Sequence, residues 1–480
     1  MRVAVLGQGS IGRRHAQIAL ELGHEVAAYD PLGPPAILPG AKPADSADEC
    51  LEGAGAAVIA SPSSEHAAQA RAAIEQGVPV LVEKPLALDW ARAAELDWLA
   101  RERGVLLSVA MNLREHPGVL AVSRALAEGG IGSVLRASAW CGSWLPGWRA
   151  GGDYRESYSA HCELGGGALL DVAVHELDYL LWLLGPARSV SALARRVSDL
   201  QIDVEDVALI ALELDGGAVA EVSVDYLDRS YTRGCRIVGS QGTLHWSWES
   251  DLLCRYDAAG AIHRQPVPSD VAPTYCAQLE RFLDAVKQGA EAPVPASDAL
   301  QALAVIDAAR ASSREGRRIA LPAPLTLRAA GLEDSERLLA WRNDPATRRW
   351  SRDSRPVTRR QHARWLPATL GDVTTRLWIA ESEGAPVGQV RVGPRSGGVA
   401  ELHITLAPTA RGRGLGSSLL VQVTASALAD PGTERLCAYV NPDNVASLRA
   451  FARAGFGAAG TAADGYVRLE RAPARAPGPQ

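Results

Sequence analysis

In the N-terminal part of the chain, apolar residues come in short runs at Arg2-Leu6, Glu25-Tyr29, Val58-Ser61, Pro79-Glu83 and Val105-Val109. Between them, Arg13-Leu22, Glu65-Gln76 and Trp90-Arg103 repeat their apolar positions at helical spacing. Strand and helix alternating in this way predict a doubly wound parallel sheet covered by helices on both faces. After Asn112 the rhythm changes. One long helical stretch, Gly167-Leu184, precedes segments of period two at Ser189-Arg195, Asp206-Leu214, Ala218-Asp225, Arg233-Val238 and Gly242-Trp246. Consecutive strands with short turns read as a mostly antiparallel sheet, which the helical patterns Tyr275-Lys287 and Ser297-Arg314 close. Leu321-Pro322-Ala323-Pro324 then suits a linker, because it cannot continue a helix.

Beyond Leu325 the pattern gives a strand at Thr326-Arg328, a helix around Glu333-Trp341, and strands at Leu377-Glu381, Pro386-Val392, Ala400-Leu406 and Arg435-Val440, with a helix at Val445-Ala454. The expected organisation is a Rossmann domain over 1–115, a mostly antiparallel-sheet α/β domain over 116–322, a third α+β domain over 325–470 and a disordered Pro/Ala/Arg/Gly-rich tail over 471–480. A length of 480 residues agrees with about three domains.

Composition narrows the function classes. The net charge of -6 argues against nucleic-acid binding, and no apolar run is long enough to span a bilayer. Met1-Leu6 reads as a buried strand without a secretory n-region, so a cytoplasmic location is expected. Seven cysteines without CxxC or Cys/His spacing predict free thiols and no metal site. Lysine occurs only at 42, 84 and 287, which singles out each one that is retained.

Two glycine loops carry candidate chemistry. Gly7-Gln8-Gly9-Ser10-Ile11-Gly12 follows a strand and opens a helix, and Asp30 ends the second strand, where a carboxylate accepts ribose hydroxyls and repels a 2'-phosphate. NAD is therefore expected over NADP, with Ser61, Pro62, His66, Glu83 and Lys84 as further cofactor contacts. Arg411-Gly412-Arg413-Gly414-Leu415-Gly416 is a second turn of the same kind, so two phosphate-bearing cofactors are expected. Lys84, in Glu83-Lys84-Pro85 at a strand's carboxyl end, can lose its proton when desolvated. Asp171 and His175, spaced i, i+4 after Gly165-Gly166-Gly167, share a helix face, and the glycines admit a ligand to its N-terminus. Trp140, Trp144 and Trp148 recur every four residues and offer aromatic faces to a sugar ring or to packing.

In order, GxGxxG, the EKP tripeptide, Asn112-Leu113-Arg114-Glu115-His116-Pro117, the GGG-x3-D-x3-H run and Gly239-Ser240-Gln241-Gly242-Thr243-Leu244 resemble the Gfo/Idh/MocA oxidoreductase family over Met1 to Pro322. The resemblance implies NAD(P)-dependent oxidation or reduction at a carbinol carbon, with Lys84 and His175 handling the hydroxyl proton and Asp171 positioning or contacting the substrate. Arg114, Trp148 and Tyr154 are the expected substrate contacts. The family also implies a homodimer or tetramer formed through the exposed sheet of the second domain.

Leu402-Pro408 leading into the second loop, with Asn444-Val445-Ala446-Ser447 and Ala454-Gly455-Phe456, resembles the GNAT acyltransferase fold over Leu325 to Leu469. That implies acetyl-CoA or another acyl-CoA, held by Leu406, Arg411 to Gly416, Asn444 and Ser447. Trp341-Arg342-Asn343-Asp344, with His362 and Trp365, resembles the branch that acetylates protein N-termini and amino sugars, which makes Trp341, Arg342 and Asn343 expected substrate contacts. Glu401 and His403 share a strand face and are candidates to deprotonate an incoming ammonium. Phe451 stands where many members carry a Tyr that protonates the departing thiolate. Between Arg328 and Arg364, ten Arg face five acidic residues, a patch suited to a nucleotide diphosphate, an acidic carrier protein or plain solvation.

Together these features predict a bifunctional enzyme acting on a nucleotide-linked sugar and an amino sugar. The competing readings are an imine or ketone reductase with amine acylation, and a dehydrogenase whose third domain only binds acyl-CoA.

Overall fold

The computed structural model describes residues 1–33, 37–148, 152–321, 325–382, 384–412, 414–428 and 432–472. Arg413, most of the expected linker and nearly all of the expected tail lie outside the described residues. The chain divides into two compact units, Met1–Leu321 and Pro322–Gln480.

The first unit holds two sheets. Strands β1 (Arg2–Leu6), β2 (Glu25–Tyr29), β3 (Lys42–Pro43), β4 (Ala56–Ile59), β5 (Val80–Glu83) and β6 (Leu107–Ala110) form a parallel sheet in the order 3-2-1-4-5-6. That is the order of dinucleotide-binding folds. Every residue of β4, β5 and β6 is buried, as unbroken apolar strands require when both faces are covered.

The second sheet has nine strands: β7 (Val134–Gly142), β8 (Ala187–Arg195), β9 (Val207–Leu214), β10 (Val219–Asp225), β11 (Thr232–Gly239), β12 (Gly242–Ser247), β13 (Leu252–Asp257), β14 (Ile262–Pro266) and β15 (Ile319–Ala320). Their order is 14-13-12-11-7-10-9-8-15, antiparallel except where β10 runs parallel to β7. Burial alternates along β9 and β10, so one sheet face is packed and the other is open. The helix Ala296–Glu315 packs against β8 and against the helices Trp90–Arg103 and Ala173–Leu184. One apolar core therefore runs from Ala4 and Ile59 in the first sheet to Val222 and Ile237 in the second.

The long helical stretch expected from Gly167 differs in its first turn. Ala168–Val172 is a π-helix, and the α-helix begins at Ala173 and ends at Leu184. Trp140 lies inside β7 while Trp144 and Trp148 follow it, so the three tryptophans do not share one helical face.

The second unit is a seven-stranded sheet of β16 (Thr326–Ala329), β17 (Arg376–Ser382), β18 (Ala385–Ser396), β19 (Val399–Leu406), β20 (Arg435–Val440), β21 (Gly457–Thr461) and β22 (Val467–Arg471), in the order 16-17-18-19-20-22-21. Only β19 and β20 run parallel, and their pairing stops at Glu401 and Cys437 although both strands continue. Past that point they diverge. Among the described residues, no helix of either unit is long and apolar enough to cross a membrane.

Two candidate active sites

At the carboxyl end of the parallel sheet, the first glycine loop is shaped partly by packing and partly by an open flank. Gly7 has φ +89, and a Cβ there would lie 2.5 Å from the Ser61 amide nitrogen; one on Gly12 would lie 1.9 Å from the Gly7 carbonyl oxygen. A Cβ on Gly9, which caps the helix Ser10–Glu21, would meet nothing within 4 Å. The first-turn amides, Ser10 and Ile11 among them, thus lie behind clear space at the positive end of a helix dipole. Asp30 accepts hydrogen bonds from the backbone N–H of Gln8 (2.7 Å) and of Leu32 (3.0 Å), which fixes its carboxylate beside the loop. These residues fit a dinucleotide with free ribose hydroxyls.

The neighbouring expected contacts serve the scaffold. His66 is buried, with Nδ1 2.7 Å from the Pro85 carbonyl oxygen and Nε2 3.0 Å from that of Ser61. The Glu83 carboxylate bonds His15 Nε2 (2.8 Å) and accepts from the Lys84 amide (3.2 Å). Ser61 Oγ donates to Gln69, and Pro62 caps the helix Ser63–Glu75. The side chains of His66 and Glu83 are therefore corrected from cofactor contacts to groups that fix the loops around the site.

Lys84 reaches across to Asp171. Its Nζ lies 2.6 Å from Asp171 Oδ1 and 2.9 Å from the Asp171 carbonyl oxygen. The same carboxylate accepts from Tyr158 (2.8 Å), Ser159 (2.8 Å) and Tyr226 (3.3 Å). Burial alone would raise the Asp171 pKa, but Lys84 and the Ser159 and Tyr158 hydroxyls outweigh it and hold the carboxyl below its usual range. Burial likewise opposes charge on Lys84, and Asp171 overcomes it, raising the ammonium above its ordinary value. With Asp171 alongside, Lys84 is favoured as the cation and as a hydrogen-bond donor. Burial, aided by Lys84 and Arg233, pushes His175 well below its ordinary value, so its ring is neutral. Its Nδ1 is buried with no hydrogen-bond partner. Tyr158 is pushed up to about 12 by burial and Asp171.

Three further expectations are corrected. The Gly165-Gly167 run makes room for protein, since a Cβ on Gly166 would lie 2.4 Å from the Ser159 carbonyl oxygen and one on Gly167 2.5 Å from Glu205 Oε1. Glu205 itself caps that turn by accepting from the Leu169 amide (2.9 Å). Arg114 is buried and spent on Asp178 (2.7 Å) and Asp298 (2.7 Å), so it holds three elements together instead of meeting substrate. Asp171, saturated by its donors, positions Lys84. Trp148 and Tyr154 do line one small depression together with Ser159; Trp148 Nε1 donates to Ser143 (2.6 Å), and its ring stands edge-on to Tyr226 at 5.2 Å. Tyr158, Ser159, Tyr226 and Glu205 escaped the sequence reading, because no short spacing links them to Asp171.

The second site is a cavity of about 1070 Å³ opening where β19 and β20 diverge. Gly412 (φ +76) and Gly414 (φ +77) turn the chain into the helix Leu415–Leu428, and Leu406, Gly416 and Ser447 line the cavity. Asn444 accepts from the Ser447 amide (3.1 Å) and so caps the helix Val445–Arg453. The Arg411 guanidinium is held by Asp344 (2.6 Å) and Thr347 (2.8 Å). Positive φ at two glycines, a helix start and a cavity of this volume fit coenzyme A.

Glu401 and His403 lie side by side on the cavity wall, Oε1 3.3 Å from Nε2. Desolvation, with Arg391 and Arg352 nearby, lowers His403 to about 4. Trp341 and Arg342 line the cavity, whereas Asn343 is corrected: its amide pairs both ways with the Val357 backbone at 2.8 Å and is spent. Phe451 also lines the cavity, packed edge-on against Phe456 at 5.0 Å. In the arginine-rich segment, Arg328 and Arg337 pair with Asp334, Arg355 with Asp353 and Arg359 with Glu336, while Arg352 pairs outside the segment with Asp464.

Family models match the chain in three places: the oxidoreductase family's NAD-binding Rossmann fold over residues 1–111, its C-terminal alpha/beta domain over 124–321, and an acetyltransferase (GNAT) domain over 324–457. The chain belongs to the Gfo/Idh/MocA oxidoreductase family. To the Gfo/Idh/MocA unit it adds a GNAT domain. An uncharacterized oxidoreductase of Synechocystis is 34% identical over 44% of this chain and 59% of its own length. UDP-N-acetylglucosamine 3-dehydrogenase of Acidithiobacillus ferrooxidans is 28% identical over 60% and 88%. Among solved structures, GenD2 from gentamicin A biosynthesis in complex with NAD is 25% identical, with TM-score 0.58, and the match covers 67% of this chain and 97% of that one. The chain spans less than two thirds of the length of the first curated relatives it matches.

Proposed function

We propose that the chain is a bifunctional enzyme: an NAD-dependent dehydrogenase that oxidises a hydroxyl of a nucleotide-linked sugar, and an acyl-CoA-dependent N-acyltransferase acting on an amino sugar. The observation that carries the first half is the ion pair of Lys84 with Asp171 (2.6 Å), with His175 four residues beyond Asp171, at the carboxyl end of a sheet whose glycine loop suits NAD. NAD, when bound, supplies the hydride acceptor. His175 takes the hydroxyl proton, and Lys84 donates a hydrogen bond to the same oxygen, stabilising charge as it develops there. The curated relative that oxidises UDP-N-acetylglucosamine supports a nucleotide-linked substrate.

In the second unit, the Glu401 and His403 pair receives the proton of the incoming ammonium, directly or through water. Phe451 offers no proton to the departing thiolate, which favours a second reading of this unit as an acyl-CoA-binding domain without turnover. An aminotransferase acting between the two steps would convert the ketone product of the first into the amine consumed by the second.

The test is NADH absorbance with a panel of nucleotide sugars, for the native protein and Lys84→Ala, beside thiol release from acetyl-CoA with the matching amines. A signal with one nucleotide sugar, lost in Lys84→Ala, supports the dehydrogenase. NADH consumption by ketones or imines, with no NAD reduction by any sugar, overturns it. Acetyl-CoA binding without thiol release across the amines selects the non-catalytic reading.

A further inference from the structure

The acyl-transfer cavity has a charge imbalance that its own residues do not resolve. Among the described residues it is lined by six arginines, 342, 352, 391, 411, 449 and 453, against two carboxylates, Asp353 and Glu401. Two of the six are paired with carboxylates outside the lining. Arg411 is held by Asp344, and Arg352 pairs with Asp464 (2.7 Å) while lying 3.9 Å over the Tyr439 ring. Arg449 and Arg453 come from the helix capped by Asn444, beside the loop expected to meet coenzyme A phosphates. Arg342 donates one nitrogen to the Asp353 carbonyl oxygen (2.7 Å) and leaves Nη1 buried without a partner.

Arg391 is the one that lies cross-strand from the candidate pair of bases. It forms no ion pair among the described residues; it is only partly exposed, its burial disfavours the charge, and the nearby Glu401 offsets that burial only in part. It lies directly opposite His403 in the β18–β19 register, so its guanidinium shares the sheet face that carries Glu401 and His403. An acceptor whose only charge is an ammonium would enter a cavity of the same sign. Like charges at such separations cost free energy in a desolvated site, whereas an oxyanion near the amine reverses the sign and satisfies the guanidinium fork.

We infer that the acyl acceptor carries a negatively charged group, phosphate or carboxylate, close to its amine, and that Arg391 binds that group. The inference rests on the reading of Pro322–Gln480 as an N-acyltransferase.

The experiment compares D-glucosamine, D-glucosamine 1-phosphate and 2-amino-2-deoxy-D-glucuronate as acceptors for the full chain with acetyl-CoA, following thiol release. The expected result is a kcat/KM for one anionic amine roughly 10- to 100-fold above that of glucosamine, which Arg391→Ala brings to parity and Arg391→Lys restores in part. Whichever anionic amine leads names phosphate or carboxylate as the source of the charge. Equal kcat/KM for all three in the native protein, or an equal fall for all three in Arg391→Ala, overturns the inference. A melting temperature still raised by coenzyme A shows that each variant is folded.

Should no amine be acylated, calorimetry of the two anionic amines on the full chain saturated with NADH and coenzyme A separates the two claims. Binding lost in Arg391→Ala retains the anion site and removes the acyl-transfer reading. Binding equal in native and variant, or none in the native protein, removes the anion site.

Discussion

Lys84 is one of three lysines in the chain, and its ammonium is gripped by a carboxylate that also takes three hydroxyl hydrogen bonds. An arginine could supply the charge, but its planar fork is a different shape from a point charge with three donors. The neutral state of His175 carries a pH consequence. Because burial and two neighbouring cations hold its pKa well below 6.5, the acid limb of the kcat/KM profile for NADH formation is expected below pH 6.5, with little change from pH 7 to 8. His175→Asn is expected to lower kcat by about 100- to 10,000-fold while NADH fluorescence still reports binding. An acid limb centred at or above 6.5, or a variant of native rate, would remove His175 as the proton acceptor. The glycine loop of Gly7, Gly9 and Gly12 between a strand and a helix was legible because its meaning lies in local spacing. The fate of Arg114 was not, since its partners Asp178 and Asp298 are 64 and 184 residues away.

At the scale of elements, the same limit explains the π-turn. Asp171 and His175 have helical spacing, but Glu205, from a distant loop, occupies the start of that turn. The strand β7 was missed because its burial begins irregularly, and only its pairing with both β10 and β11 makes it central. His116 shows how an element end can acquire pH sensitivity. Its Nδ1 accepts from the Gly118 amide (3.1 Å) at the start of the helix Pro117–Ala127, and its ring stacks on Trp248 at 4.9 Å. Burial, with Arg233 adding to it, lowers its pKa to about 4. The unfolded chain therefore binds this proton first as pH falls, so the contribution to stability is complete above about 6.5 and is lost on the way down to about 4. Denaturant midpoints measured at pH 7 and pH 4.5 are expected to fall more for the native protein than for His116→Gln. Equal falls would show that His116 does not contribute.

For the whole molecule, the division at Leu321 means that each unit closes its own sheet and core. A ligand that binds only the folded state of one unit stabilises that unit alone, by about 2.7 kcal/mol at one hundred times its Kd. Calorimetry is thus expected to resolve two transitions, one raised by NADH and the other by coenzyme A; a single transition raised by both would contradict independent cores. The three-sheet architecture was readable from strand rhythm and glycine loops, because those signals repeat within each unit. Separate melting would also set the working range of the protein by whichever unit is weaker. Adaptation to heat would then act on the coding sequence of one unit at a time, and improvements in the sturdier unit would stay invisible to selection until the other had caught up.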